Sequence, residues 1–205
     1  MKKNKVILAV TILFLVFLVG GAIAFFTDTK SKTNTFTIGN VEITLTEPNW
    51  SETDSNSNGV PDAAENLMPG DSVAKDPTIT NVGSNDAYVF AKVVMPCTTD
   101  TTPEEIFTYT TNSGWYLMNN GTCSSGSATK IYAYGTSSSM TTLPPTSGSN
   151  STAALFSSVS INSTIDGSES NLTGNQDVVV TGYAIQTTGL TDTTPSSIWT
   201  EANFN

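Results

Sequence analysis

AIAFFTDTKSKTNTFTIGNVEITLTE, residues 22–47, is the stretch on which the reading of the fold turns. From Phe36 its apolar residues fall on alternate positions: Phe36 and Ile38 share one face, and Val41, Ile43 and Leu45 share one face after a slip of phase at Gly39-Asn40. A period of two is the pattern of a half-buried strand, and a slip of phase marks a bulge or tight turn. Just upstream, Ala22-Ile23-Ala24 supplies the small residues of an export cut site, and Phe25-Phe26 follow it on a polar tether reaching Thr35.

Working outward toward the N-terminus, Met1 to Lys5 is basic, Val6 to Val19 is almost wholly apolar, and Gly20-Gly21 breaks the run before the cut site. This is the organisation of a secretory signal peptide, with Ala22 and Ala24 as the cleavage residues and signal peptidase as a transient partner. An uncleaved leader would serve as a membrane anchor, because Val6 to Phe26 is long enough to span a bilayer of roughly 30 Å.

Beyond residue 24 the chain keeps five lysines against all 18 acidic groups, a formal charge of −13, and the whole sequence contains no arginine and no histidine. Nucleic acid is excluded as a partner, since its recognition needs a basic footprint that displaces counterions. The missing imidazole also removes Ser-His-Asp and Cys-His nucleophiles and the HExxH zinc motif. An enzyme would have to work with carboxylates alone, and these are scattered among Ser, Thr and Asn without forming a pair.

Further strand candidates are Thr78–Val82, Ala87–Met95, Ile106–Met118 with a break at Asn112 to Gly114, Thr129–Tyr134, Ala154–Ile161 and Val178–Gln186. Most are rich in β-branched and aromatic residues and are bounded by Gly, Pro, Asn or Ser. Short strands with turn signals and no long amphipathic helix predict an all-β protein, a jelly-roll-like or immunoglobulin-like β-sandwich with short helical pieces. One such piece is expected over Pro195 to Phe204, with Thr194 as N-cap and Ile198 and Trp199 against the sandwich.

Three motifs bear on chemistry. Asp54-Ser-Asn56-Ser-Asn58-Gly59-Val60-Pro-Asp62-Ala-Ala-Glu65 fits the calcium-loop template at every specified position, with oxygens expected from Asp54, Asn56, Asn58, the Val60 carbonyl, Asp62 and Glu65. A structural Ca2+ is therefore expected there, although helices flanking an EF-hand are missing and an ordinary Asx/Gly turn has the same composition. Cys97 and Cys123, the only cysteines, predict one disulfide in an exported protein. Leu143-Pro-Pro-Thr-Ser147 departs from a sorting signal at its fifth residue and reads as a rigid loop. Asn49, Asn120, Asn150, Asn162 and Asn171 each open an N-x-S/T sequon.

FFTDTKSKTNTFTIGNVEITLTE after the cut site, NLMPGDSVAKDPTITNVGSNDAYVFAKV at 66–93 and VVVTGYAIQTTGL at 178–190 together resemble the TasA/camelysin family of exported proteins. The resemblance covers the leader, the first strand, the Pro-Gly-Asp turn with the strands after it, and the strand near the C-terminus. Phe90 departs from it, at a position where the family often carries a basic residue. The resemblance implies a jelly-roll subunit of extracellular biofilm-matrix fibres, in which an N-terminal segment of one subunit adds as a strand to the next. Camelysin is described as a metalloprotease, so the resemblance also carries an enzyme label. Without histidine the residues do not support that label, and the chain is read as a non-enzyme.

The physics of such assembly needs no name. A sandwich short of one strand exposes unpaired N–H and C=O groups beside an apolar groove, and an added strand satisfies both. Head-to-tail donation does not close on itself and gives a filament. The expected division is a signal peptide at 1–24, a donor-strand segment at 25–38 with Phe25, Phe26, Phe36 and Ile38 as assembly residues, and a sandwich domain at 39–205. The same segment folding into its own sheet is the alternative for those residues. The rival functions are a monomeric secreted adhesin or binding module whose Ser/Thr loops contact carbohydrate or partner surfaces, and a camelysin-like metalloprotease.

Overall fold

The structure, a computed structural model, describes residues 40–145, 149–169, 172 and 174–204. Nine strands lie among them: β1 (Ile43–Thr46), β2 (Ser72–Ala74), β3 (Thr78–Asn81), β4 (Ala87–Pro96), β5 (Phe107–Thr108), β6 (Trp115–Asn120), β7 (Ser127–Tyr134), β8 (Ser158–Ile161) and β9 (Val179–Gln186). A single α-helix, α1 (Pro195–Glu201), follows, and a 3-10 turn occupies Asp62–Ala64. The all-β sandwich expected from the alternation is what these residues form. Phe36–Ile38 lies outside the described residues.

One sheet has the order β6-β7-β4-β9, antiparallel throughout. Its centre is β4, whose Ala87, Val89, Ala91 and Val93 point into the core while Phe90 points out the other side. The second sheet is built from β1-β3 and β2-β8-β5. These two pieces are continuous, because Asn81, Thr152, Leu155 and Lys75 donate backbone N–H groups to Asn150, Ile79, Pro77 and Ser157 across 2.7–3.2 Å. Pro77, between β2 and β3, has no N–H to give and interrupts the ladder where one strand passes into the next.

The predicted strand Ile106–Met118 becomes two strands in different sheets. Its break at Asn112 to Gly114 carries the chain across the sandwich, from β5 to β6. Gly114 sits at φ +91°, in the left-handed region, and a Cβ there would meet the Tyr134 ring at 3.1 Å. The main core between the sheets gathers Ile79, Val89, Val93, Met95, Leu143, Leu155 and Phe156, all essentially inaccessible. Buried Asn81 is fully satisfied: its Nδ2 donates to the Asn85 and Leu143 carbonyls, and its Oδ1 accepts from the Gly83 N–H.

A second, smaller core lies on the outer face of the β6-β7-β4-β9 sheet. Phe90 is wholly buried there, with Trp199 edge-on at 5.2 Å and Phe204 at 5.8 Å, and Tyr183 packs on both. The helix that brings Trp199 begins with Pro195 in its first turn, as predicted. Thr194 does stand at the N-cap, but its hydroxyl makes no capping bond and is engaged instead with Ser197 and Asp192.

Candidate functional site

The Asp54–Glu65 loop is shaped by its own short polar side chains. Asp54 accepts from the N–H groups of Asn58 (3.2 Å) and Gly59 (2.8 Å), and Asn58 Oδ1 accepts from the Val60 N–H. Gly59, at φ +86°, allows the sharp reversal between them. Asp62 accepts from the Ser55 hydroxyl at 2.6 Å and its N–H at 2.9 Å, and these bonds, the hydroxyl's first, hold its carboxyl below the ordinary range. The side-chain amides of Asn56 and Asn58 both donate to Glu65 Oε1.

The structure thus brings Asn56, Asn58 and Glu65 of the calcium template together at one point. Asp54 and Asp62 serve different donors, and Val60 completes the turn. Among the described residues no three acidic or cysteine side chains converge into a set able to hold a metal.

This loop is one wall of a groove of about 1080 Å³. The floor is made by Val73, Phe107, Val159 and Ile161 of β2, β5 and β8, the first three of them buried. The opposite wall comes from 165–167 and 174–178, and Glu65, Asp166 and Asp177 stand around it. Trp50 closes one end with Lys75 Nζ 5.1 Å above its ring, and Lys75 is itself paired with Glu47 at 2.8 Å. The Pro69-Gly70 turn is pinned beneath by the Gly70 N–H bond to the Ile161 carbonyl, 3.0 Å.

From this groove runs the outer edge of β9. Ala87 exchanges both backbone bonds with Leu143, on the side of β4 away from β9, so the bonded pairs between β4 and β9 fall on Tyr88 and its alternates. Val180, Gly182, Ala184 and Gln186 therefore turn their N–H and C=O groups away from β4, and no strand among the described residues pairs with them. None of the eight residues of β9 is fully buried, in contrast to its partner β4. Across the sandwich Ile43 of β1 comes within 3.3 Å of where a Cβ on Gly182 would stand, so β1 packs across from β9 at this edge.

Cys97 and Cys123 form the expected disulfide, tying β4 to the loop after β6. Of the sequons, Asn49, Asn150 and Asn162 use their amides internally, on Asp76 Oδ2 and on the Asn81 and Glu105 carbonyls, while Asn120 is exposed. Leu143 of the proline-rich loop is a core residue bridged to Ala87. Ala22, Ala24, Phe25, Phe26, Phe36 and Ile38 lie outside the described residues. The groove and the role of Trp50 were missed by sequence reasoning, because their parts are spread from residue 50 to 178 with no local spacing to betray them.

A family model described as camelysin metallo-endopeptidase matches residues 1–106. No curated protein and no solved structure matches the chain. The family description implies a metal, and zinc in a peptidase takes three protein ligands drawn from His, Cys and carboxylate. The sequence has no histidine, both cysteines are spent in the disulfide, and the described carboxylates do not converge. These residues do not fit a zinc peptidase centre, and no catalytic step is derived from them.

Proposed function

The chain belongs to the TasA/camelysin family, and from that premise we propose that it is a secreted structural subunit, polymerising head to tail by donor-strand complementation into extracellular matrix fibres. The observation that carries this reading is the outer edge of β9, where the backbone groups of Val180, Gly182, Ala184 and Gln186 meet no partner strand among the described residues, beside a groove lined by Val73, Phe107 and Val159. An incoming strand would satisfy the backbone and bury its own apolar residues in one event. Phe25, Phe26, Phe36 and Ile38 of a neighbouring copy are the apolar residues offered. Lys30 and Lys32 between them suit an acidic rim of Glu65, Asp166 and Asp177. The family and the disulfide both favour an extracellular setting.

The reading includes a structural Ca2+ at Asp54, Asn56, Asn58, Val60, Asp62 and Glu65, supported by the spacing of the template and by the loop's position as a groove wall.

Electron microscopy of the purified secreted protein tests the assembly. Filaments are expected from the chain beginning at Phe25, and deletion of residues 25–35 is expected to abolish them while leaving a folded monomer. Burial of each Phe contributes roughly 1.5–3 kcal/mol, so loss of two weakens every joint by several kcal/mol. A truncated protein that still polymerises would overturn the proposal, and one that unfolds would show that the segment completes its own sheet.

A further inference from the structure

The outer face of the second sheet carries hydroxyl groups in register. Thr44 stands opposite Thr80 and Thr46 opposite Thr78 on β1 and β3. Ser72, Ser160 and Thr108 form one row across β2, β8 and β5, with Ala74 opposite Ser158 beside it. These are all the outward positions of the five strands by alternation, because Val73, Ile79, Phe107 and Val159 are buried and Ile43 packs on the core; Leu45, opposite Ile79, is itself exposed. In a chain with 18 acidic residues, none of those positions holds a charge.

Where β5 and β8 meet, the face sinks into a recess of about 290 Å³, lined by Thr108, Tyr109, Thr110, Asn112 and Ser157, Ser158 and Ser160. The hydroxyls of Thr108, Thr110, Ser158 and Ser160 make no hydrogen bond among the described residues. Asn112 donates its amide to the Ala154 carbonyl and to Ser157, and its Oδ1 accepts nothing from the described residues. We propose that this recess and the hydroxyl rows beside it are a binding face for a neutral polysaccharide chain.

The chemistry selects the ligand class by elimination. A cation finds no carboxylate in the recess, and an anion is opposed by the acidic body. Each Ser or Thr hydroxyl has one donor and two acceptor lone pairs and rotates to suit its partner. A ligand made of hydroxyl groups, itself both donor and acceptor, answers that set. A second copy of the protein does not. These five short strands, about 4.8 Å apart and a few residues long, present a few hundred Å², short of the roughly 800 Å² per partner of a stable protein pair. A sugar chain needs only a small footprint per subunit, and repetition along a filament multiplies it. Binding by one subunit stands without the fibre reading, whereas that gain by repetition rests on it.

The test is co-sedimentation of the full secreted protein with microcrystalline cellulose and with crystalline chitin, using soluble alginate as the acidic control. The protein is expected to sediment with at least one neutral polymer and to ignore alginate. Thr108→Val with Ser158→Ala and Ser160→Ala is expected to lower the apparent affinity by about tenfold or more, since the three changes together remove three hydrogen-bonding groups from the face. Thr44→Val with Thr46→Val, on the far strand, gives a second variant should the first not fold. Deletion of 25–35 should weaken sedimentation without removing its dependence on these hydroxyls; no weakening would count against the fibre reading alone. Wild-type protein that leaves both neutral polymers untouched, or hydroxyl variants that bind as well as wild type, would overturn the proposal. Self-association lost in the variants, with no polysaccharide binding, would overturn it in favour of a second copy.

Discussion

The phenolic oxygens of Tyr109 and Tyr132 lie 2.9 Å apart where the partly buried Tyr109 packs against the main core, with the Tyr109 ring on Phe156 and Lys130 Nζ 5.2 Å from its centre. Burial, and then the bond to Tyr132, push the Tyr109 hydroxyl far above its ordinary value of 10.0. The folded protein therefore keeps a proton that the unfolded chain releases above pH 10, so stability falls as pH rises past that point and is unaffected by this group below it. Alkaline melts should show a steep loss above pH 10. Tyr109→Phe should flatten that limb, while costing about 1–3 kcal/mol at neutral pH because the buried Tyr132 hydroxyl loses its partner.

Calcium is expected to raise the melting temperature through the Asp54–Glu65 loop. A cation there would offset the repulsion among Asp54, Asp62 and Glu65 and turn the Asn56 and Asn58 oxygens inward in place of their amides. At ligand concentrations of one to ten times Kd the gain is about 0.4–1.4 kcal/mol. Identical melting curves in millimolar calcium and in EDTA would remove the site, and Glu65→Gln should abolish any difference that wild type displays.

The disulfide closes a segment of sequence separation 26. On chain-entropy grounds, replacing both Cys97 and Cys123 by Ser should cost about 3–4 kcal/mol. Urea titration of the double variant beside wild type with and without reductant measures this, and the two reduced states should coincide. A loss near zero would mean that the β4 end is held by its other contacts, including the Cys97–Glu105 bridge.

Phe90→Ala should destabilise by about 3–5 kcal/mol, as expected for emptying a wholly buried aromatic site. The change should also loosen α1, read as a shift of Trp199 emission at denaturant concentrations where the main core is intact. Phe90→Leu, which keeps most of the volume, should do neither to a comparable degree.

What the sequence made legible was the composition and bounds of the longer strands. Ala87–Met95 and Val178–Gln186 are dense in β-branched and aromatic residues, and the strands found there differ by a residue from those expected. Ser72–Ala74 escaped notice because Val73 is its one large apolar residue, too little for a period to register. Partnership left no local trace: Phe90 lies opposite Ala133 on one side and Tyr183 on the other, each far along the chain. Phe90 itself stood out only as a departure from the family pattern. Its reason lies in Trp199 and Phe204, which reach it from beyond β9. At the calcium template the spacing matches the motif, but it could not tell that the amides of Asn56 and Asn58 would turn to Glu65.

The three tryptophans occupy three separate regions, and this makes the molecule its own spectroscopic map. Trp50 stands at the groove beside Lys75, Trp115 is in the main core against Tyr134, and Trp199 is in the outer cluster. A chain retaining only Trp50 would report by its emission whether a strand, a cation or neither has reached the groove. A chain retaining only Trp199 would report whether the outer cluster opens first on heating. The order in which groove, core and outer cluster respond could then be followed in a cuvette, without any label being attached.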